Sequence, residues 1–192
     1  MAFCLFELAR NPEIVEKIHD ELDRVLKGND NEGITYESLA ELKYLECCID
    51  ETLRKYPIVP VLFRIATKDY KVPDTDLVIP KGTSVFIPTL GHHRDQELYD
   101  NPMEFRPERF LTSPTGTTKG KGVFYVPFGD GPRNCIGMRM GKLTTKIGLA
   151  KILTKFKIEL ADKEMNDKEL EISPHQFVMT PVKNFDIKIK AR

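Results

Sequence analysis

The chain has 192 residues, of which 41% are hydrophobic and 30% charged, with 29 basic and 29 acidic side chains. That composition suits one globular domain with a real core, and the balanced charge creates no overall field to draw nucleic acid or an acidic membrane. No run of 18 apolar residues occurs, so the sequence contains no helical bilayer span.

The opening "MAFCLFELAR" has neither the basic flank nor the small-residue cleavage site of a signal peptide. Its apolar residues read as the last turns of a buried helix, which makes the N-terminus an unusual place for a domain to begin. Asn11 is expected to cap a second helix, with Pro12 at its first position and Glu13 and Glu16 near the positive end of its dipole. Ile14, Ile18, Leu22 and Val25 repeat at helical spacing as far as Gly28. "GNDNEG" reads as a loop, and Thr35 as the cap of the next segment. From about Leu42 to Lys55 a longer helix carries Leu45, Ile49 and Leu53 on its inner face, and Pro57 ends it. Residues 58–90 are short β-branched or aromatic runs broken by proline, glycine and aspartate, and predict a small antiparallel sheet. Residues 91–122 predict mostly loop, a length that inside a compact domain points to function. Ile136, Met140, Leu143, Ile147 and Ala150 predict a helix that begins right after Cys135. The tail alternates, predicting two or three more strands. The fold class is mainly α with small antiparallel β-sheets (α+β), and there is no internal repeat.

The four cysteines form no Cys-x-x-Cys pair. Cys47 and Cys48 are neighbours on a helix and point about 100° apart, so they do not share a zinc ion. The pattern suits free thiols in a reducing compartment, with Cys4, Cys47 and Cys48 as small core residues.

Cys135 differs. In "PFGDGPRNCIG", Gly129 and Gly131 permit positive φ, Pro132 stiffens the turn, and Gly137 removes a side chain where something flat could lie close. A helix N-terminus just after the thiol, with Arg133 two residues before it, favours thiolate. Four uses of such a loop are open on these residues alone. A phosphate cradle is disfavoured because "GMRMGK" is one residue short of the P-loop spacing and is followed by Leu143, and Gly129-x-Gly131 lacks the third glycine of a dinucleotide fingerprint. A nucleophilic cysteine would want a histidine base, and His19, His92, His93 and His175 show no pattern that supplies one. The others are a thiolate ligand to heme iron, with Arg133 pairing a propionate, and a buried cysteine in a tight turn.

Phe128-x-x-Gly131-x-Arg133-x-Cys135-x-Gly137 resembles the signature of the cytochrome P450 family, the heme-thiolate monooxygenases. "ETLRKYP" is similar to the family's Glu-x-x-Arg helix through Glu51 and Arg54, and "FRPERF" to its Pro-Glu-Arg-Phe segment through Pro107 to Phe110. The order and spacing of all three match along essentially the whole chain, and the wording is most like insect microsomal members. The resemblance implies a partial P450 domain over residues 1–192, the C-terminal part of that fold, running from the end of the distal helix to the final strands. It implies heme b bound axially by Cys135, with Phe128 and Gly137 lining the heme, Arg133 and Arg64 on the propionates, and a structural network of Glu51, Arg54 and Arg109. Val59, Val61 and Leu62, and later Phe177 and Val178, resemble substrate-contacting stretches, and are equally readable as core strand.

The implied reaction inserts one oxygen atom of O₂ into a lipophilic small molecule. Electrons come from NADPH through a flavin-bearing reductase at the cytosolic face of the endoplasmic reticulum. Lys119, Lys121, Arg139, Lys142 and Lys146 flank the loop and could meet an acidic redox partner or form a solvated face. No catalytic residue is assigned, because the distal acid–alcohol pair, the membrane anchor and upstream heme-gripping basic residues have no counterpart here. The chain is therefore expected to be a fragment, a truncated gene model or a spliced product, inactive alone and with apolar surface uncovered. The competing expectation is a non-catalytic heme-binding remnant or interaction module.

Overall fold

A computed structural model describes residues 1–26, 33–116, 124–166 and 168–192. Most of the expected loop at 28–33, and Lys119 and Lys121, therefore lie outside the described residues. Four longer helices build the core: α1 (Ala2–Arg10), α2 (Pro12–Leu26), α4 (Lys43–Lys55) and α7 (Met138–Lys155), with the short α3 (Tyr36–Glu41) between α2 and α4. The helical-period residues of each meet in one cluster: Leu8 from α1, Ile14, Ile18 and Leu22 from α2, Leu45, Ile49 and Leu53 from α4, and Leu149 and Leu153 from α7. At roughly 1.5–3 kcal/mol per fully buried aliphatic side chain, this cluster is the main stabilising element.

The helix boundaries show how local chemistry sets them. Pro12 opens α2 as expected, but Asn11 does not cap it with its side chain. Its Nδ2 turns back and donates to the Glu7 carbonyl at 2.7 Å, closing α1, while its own carbonyl accepts from Ile14. Thr35 does cap α3: its Oγ1 accepts from the Ser38 amide at 3.1 Å and the Ser38 hydroxyl accepts from the Thr35 amide at 2.9 Å. The start of α4 is capped from another helix. The buried Glu21 carboxylate of α2 accepts from the amides of Tyr44 and Leu45 at 2.8 and 3.0 Å, matching negative charge to the helix's positive end.

Residues 58–90 form two separate antiparallel ladders instead of one sheet. Strand β1 (Leu62–Ile65) pairs with β4 (Ser84–Ile87), putting Arg64 opposite Val85, and the two-residue strands β2 (Tyr70–Lys71) and β3 (Val78–Ile79) pair beyond them. The expected loop at 91–122 is entered by one short helix, α5 (Thr89–His93), and contains another, α6 (Arg109–Thr112). After α7 the chain runs straight into β5 (Phe156–Leu160), which pairs with β6 (Ile187–Ala191). The mainly α, α+β class holds.

Candidate functional site: a buried ion network behind an exposed thiol

Glu51 and Arg54 sit three apart on α4 and are both fully buried. Arg54 grips the carboxylate through two nitrogens: Nε donates to Oε2 at 2.7 Å and Nη2 to Oε1 at 2.9 Å. Its remaining donors reach the carbonyls of His93 and Pro102, each at 2.7 Å, and its guanidinium lies 5.1 Å from the Tyr99 ring centre. Oε1 of Glu51 also accepts from the Arg106 amide at 2.9 Å and from Arg109 Nε at 3.3 Å. Arg109, at the start of α6, donates through Nη2 to the Asn101 carbonyl. One carboxylate thus ties α4 to the 99–109 segment, and the three residues that the sequence motifs single out do meet. Two cations around one anion are made tolerable in a buried place by the backbone carbonyls that take up the spare donors of Arg54 and the Nη2 of Arg109, while the buried Nη1 of Arg109 has no hydrogen-bond partner.

The neighbouring Glu108 carboxylate extends the tie outward, accepting from Lys17 of α2 and Tyr44 of α4, both at 2.7 Å. Burial works to raise its pKa, but the bond from Lys17 and the one from Tyr44 bring it below the ordinary carboxylate value.

The network reaches the cysteine loop through residues that the sequence reading did not select. His93, at the end of α5, is fully buried; its Nδ1 is 3.2 Å from the Arg54 carbonyl, and the Val126 amide donates to its Nε2 at 3.0 Å. Burial pushes its pKa down to about 4, so the ring is neutral at physiological pH. Tyr125 stacks on His93, with ring centres 5.4 Å apart. The Tyr125 hydroxyl donates to the carbonyl and carboxylate oxygens of Asp50 at 3.1 and 2.9 Å. The only hint in the sequence was the length of the segment carrying His93.

Past Val126 the loop is held by its own backbone. The Gly129 amide donates to the Val126 carbonyl at 3.0 Å, the Asn134 amide to Gly131, and the Cys135 amide to Phe128 at 2.8 Å. Gly129 and Gly131 have φ of 75° and 74°, a conformation that disfavours other residues. Cys135 does not sit directly at a helix start. Gly137 is the N-cap and Met138 the first helical residue, so Ile136, expected in the helix, lies before it and is fully exposed, and Met140 in its first turn is exposed as well. Cys4, Cys47 and Cys48 are buried while Cys135 is exposed. Burial raises the Cys4 and Cys47 thiols to about 11 and Cys48 well above its ordinary value, so none of the three is a candidate thiolate.

A flat metal-bearing macrocycle can be tested against these contacts. Sγ of Cys135 lies 3.8 Å from where a Cβ on Gly137 would be, ordinary van der Waals contact, so the glycine leaves the space beside the sulfur bare. Arg64 leaves β1 toward the same loop: its Nη2 donates to the Arg133 carbonyl at 3.2 Å and lies 3.6 Å from the space above Gly129. An accessible soft sulfur, a bare glycine beside it, Arg133 on the same loop and Arg64 reaching that loop from β1 fit a heme with anionic propionates. Phe128 is partly buried in the same loop.

The two apolar stretches come together, since the Met179 amide donates to the Ile58 carbonyl at 3.0 Å. Around that join Val61, Phe177 and Val178 are exposed, and Val59 and Leu62, the latter the first residue of β1, are half-buried. Of the basic residues flanking the loop, Lys142 pairs with Asp50 at 2.9 Å and Glu46 at 3.1 Å, and Lys146 with Glu46 at 3.1 Å. Those two brace α7 against α4, and Lys146 is itself buried. Arg139 is exposed.

The protein is mainly helical and carries one exposed thiol on a glycine-shaped loop, with a buried carboxylate–guanidinium network behind it. The cytochrome P450 family model matches residues 1–189, and the chain belongs to that family. It is 40% identical over 191 residues to the probable cytochrome P450 6d5 of Drosophila melanogaster, covering 100% of this chain and 36% of that protein. It is 43% identical over 192 residues to cytochrome P450 6B6 of Helicoverpa armigera (100% and 37%), and 46% identical over 180 residues to cytochrome P450 6a8 of Drosophila melanogaster (93% and 35%). The chain therefore spans little more than a third of the length of these insect relatives. Among the described residues no helix is long and apolar enough to cross a membrane.

Proposed function

We propose that this chain supplies the thiolate side of a heme monooxygenase that inserts one oxygen atom of O₂ into a lipophilic small molecule. The observation that carries the reading is the contrast among the thiols: three are buried and raised in pKa, while Cys135 is exposed beside Gly137 on a loop reached by Arg64. Heme b, when bound, would supply the redox-active iron that activates oxygen. Cys135 would donate its sulfur to that iron, and the backbone bonds that fix its loop would hold the sulfur's direction. Arg64 and Arg133 would neutralise the propionates. Phe128 and Gly137 would form the flat floor. Glu51, Arg54 and Arg109 would keep the floor rigid from behind without touching the cofactor.

Exposed apolar side chains at Val61, Phe177 and Val178, with Val59 and Leu62 beside them, support a lipophilic substrate. Electrons would arrive from NADPH through a flavin reductase, with Arg139 the basic residue left to meet it among the described ones of that set, once Lys142 and Lys146 are committed to α4. By family the setting is the cytosolic face of the endoplasmic reticulum membrane.

The test is a spectrum. Protein expressed with heme available, then reduced and treated with carbon monoxide, is expected to give the band of thiolate-ligated iron, and Cys135→Ser is expected to lose it. A serine variant that keeps the wild-type band would end the reading.

A further inference from the structure

We propose that His93 is a positioning residue for the cysteine loop, transmitting the placement of α4 to the backbone that carries Cys135. The proton arrangement follows from the partners. The Val126 amide is a donor and points at Nε2 from 3.0 Å, so Nε2 must offer a lone pair. The ring proton is then on Nδ1, where the Arg54 carbonyl 3.2 Å away accepts it. The other tautomer, or an imidazolium, would set two hydrogens against each other at Nε2. Arg54 returns the contact through Nη1 to the His93 carbonyl at 2.7 Å, so histidine and arginine fix each other before either reaches outward.

What lies beyond Val126 makes the contact more than packing. The Val126 carbonyl accepts from Gly129 and closes the turn, and Phe128, inside that turn, gives its carbonyl to the Cys135 amide at 2.8 Å. From α4 to the sulfur-bearing residue there is a short series of backbone bonds, and His93 is the side chain that starts it. An apolar ring of similar size would fill the space but leave a buried amide and a buried carbonyl without partners. The adjacent Tyr125–Asp50 bond holds the same arm from its other side and provides a control that spares the Val126 amide.

The inference rests on the Cys135 ligand reading for its spectroscopic consequence and on geometry alone for the loop, so the test has separate arms. In the protein carrying this sequence, amide exchange at Val126 is compared among wild type, His93→Phe, His93→Asn and Tyr125→Phe. His93→Phe is expected to speed Val126 exchange about ten-fold, the worth of one buried bond, while amides in α2 keep their protection. His93→Asn, which offers both a donor and an acceptor, recovers part of the loss, and Tyr125→Phe changes Val126 least.

With heme bound, His93→Phe is expected to shift part of the reduced carbon-monoxide spectrum away from the thiolate band, with recovery in His93→Asn. Unchanged Val126 exchange in His93→Phe, or loss spread evenly over α2 and α4, overturns the proposal whatever the spectrum does. A wild-type protein with no thiolate band overturns the ligand reading instead, and leaves the loop inference to the exchange arm. If His93→Phe does not fold, nitrogen chemical shifts of the wild-type ring decide: a bare Nε2 upholds the assignment and a proton there overturns it.

Discussion

Glu51 and Cys135, the two residues on which the proposed function turns, sit in opposite environments. The Glu51 carboxylate is fully buried and bound by Arg54, Arg106 and Arg109. The Cys135 side chain is exposed, on a loop held by backbone bonds. On the proposed function, the buried group would decide whether the fold exists and the exposed one what the fold can do. The largest stability effects should therefore come from residues that touch no cofactor, and the cleanest functional effect from a residue that contributes little to stability.

The sharpest way to break that contrast is at its buried end. Glu51→Ala leaves two guanidiniums without their anion in the interior, a cost of about 3–5 kcal/mol. The expected result in a denaturant titration is a protein at or below the limit of folding, and heme retention lost with it. A variant with wild-type midpoint and normal heme content would show the network to be dispensable.

The next effect is on pH. His93 is held at about 4 by burial, first of all, against an ordinary value of 6.5, with Arg54 and His92 adding to the depression and bonds to the Arg54 and Leu53 backbone opposing it. Above pH 6.5 the ring is neutral folded or unfolded, and its contribution to stability is complete. Between 6.5 and about 4 only the unfolded chain takes up the proton, so stability falls as pH falls, by up to roughly 3 kcal/mol, and levels off below 4. Glu46 and Glu108, whose pKa values are lowered, erode stability in the same direction at lower pH, while Asp50, raised by burial, opposes them. The His93→Asn difference isolates the histidine: its stability should slope less between pH 6.5 and 4 than the wild type's.

This pattern explains which parts were legible in the sequence. The helical periods of α2 and α4 were plain because Ile14, Ile18, Leu22, Leu45, Ile49 and Leu53 bury one face each. Glu51 and Arg54 could be paired because they are three apart on one helix. Arg109 and Arg64 came from motif resemblance; Arg109 bonds to Glu51, and Arg64 reaches the cysteine loop at the Arg133 carbonyl. His93 was not legible, because its partners lie 39 and 33 residues away and its role exists only once the chain has folded. Glu21, capping α4 from α2, is hidden for the same reason. The start of α7 was misplaced because Ile136 fits an apolar period. Periodicity records what is apolar, not what is covered, and here Gly137 delays the helix and leaves Ile136 outside. Lys142 and Lys146 looked like a solvated basic face because Asp50 and Glu46 are remote in sequence.

At the exposed end of the contrast, Cys135→Ser should move stability by no more than about 0.5 kcal/mol, the ordinary range for a surface substitution away from caps and networks. The thiolate spectrum should vanish while the denaturation midpoint stays put. A large loss of stability would place Cys135 among the structural residues and dissolve the division.

The smallest effect concerns the basic residues beside the loop, where the same division recurs on a finer scale. Lys146 is buried against Glu46, and Lys142 is shared between Glu46 and Asp50, so reversing either charge mainly disturbs the α4–α7 contact. Arg139 is exposed on the first turn of α7, so reversing it leaves the helix contact alone and changes only the field that an acidic partner meets. Arg139→Glu should slow reduction by a flavin reductase severalfold at low ionic strength and hardly at all at high salt, with folding unchanged, because steering between exposed charges is screened beyond about 8 Å at physiological ionic strength. Lys146→Glu should do the reverse, lowering stability with a salt-independent effect on rate. Equal salt dependence in the two variants would mean that the lysines, despite their acidic partners, still face the reductase.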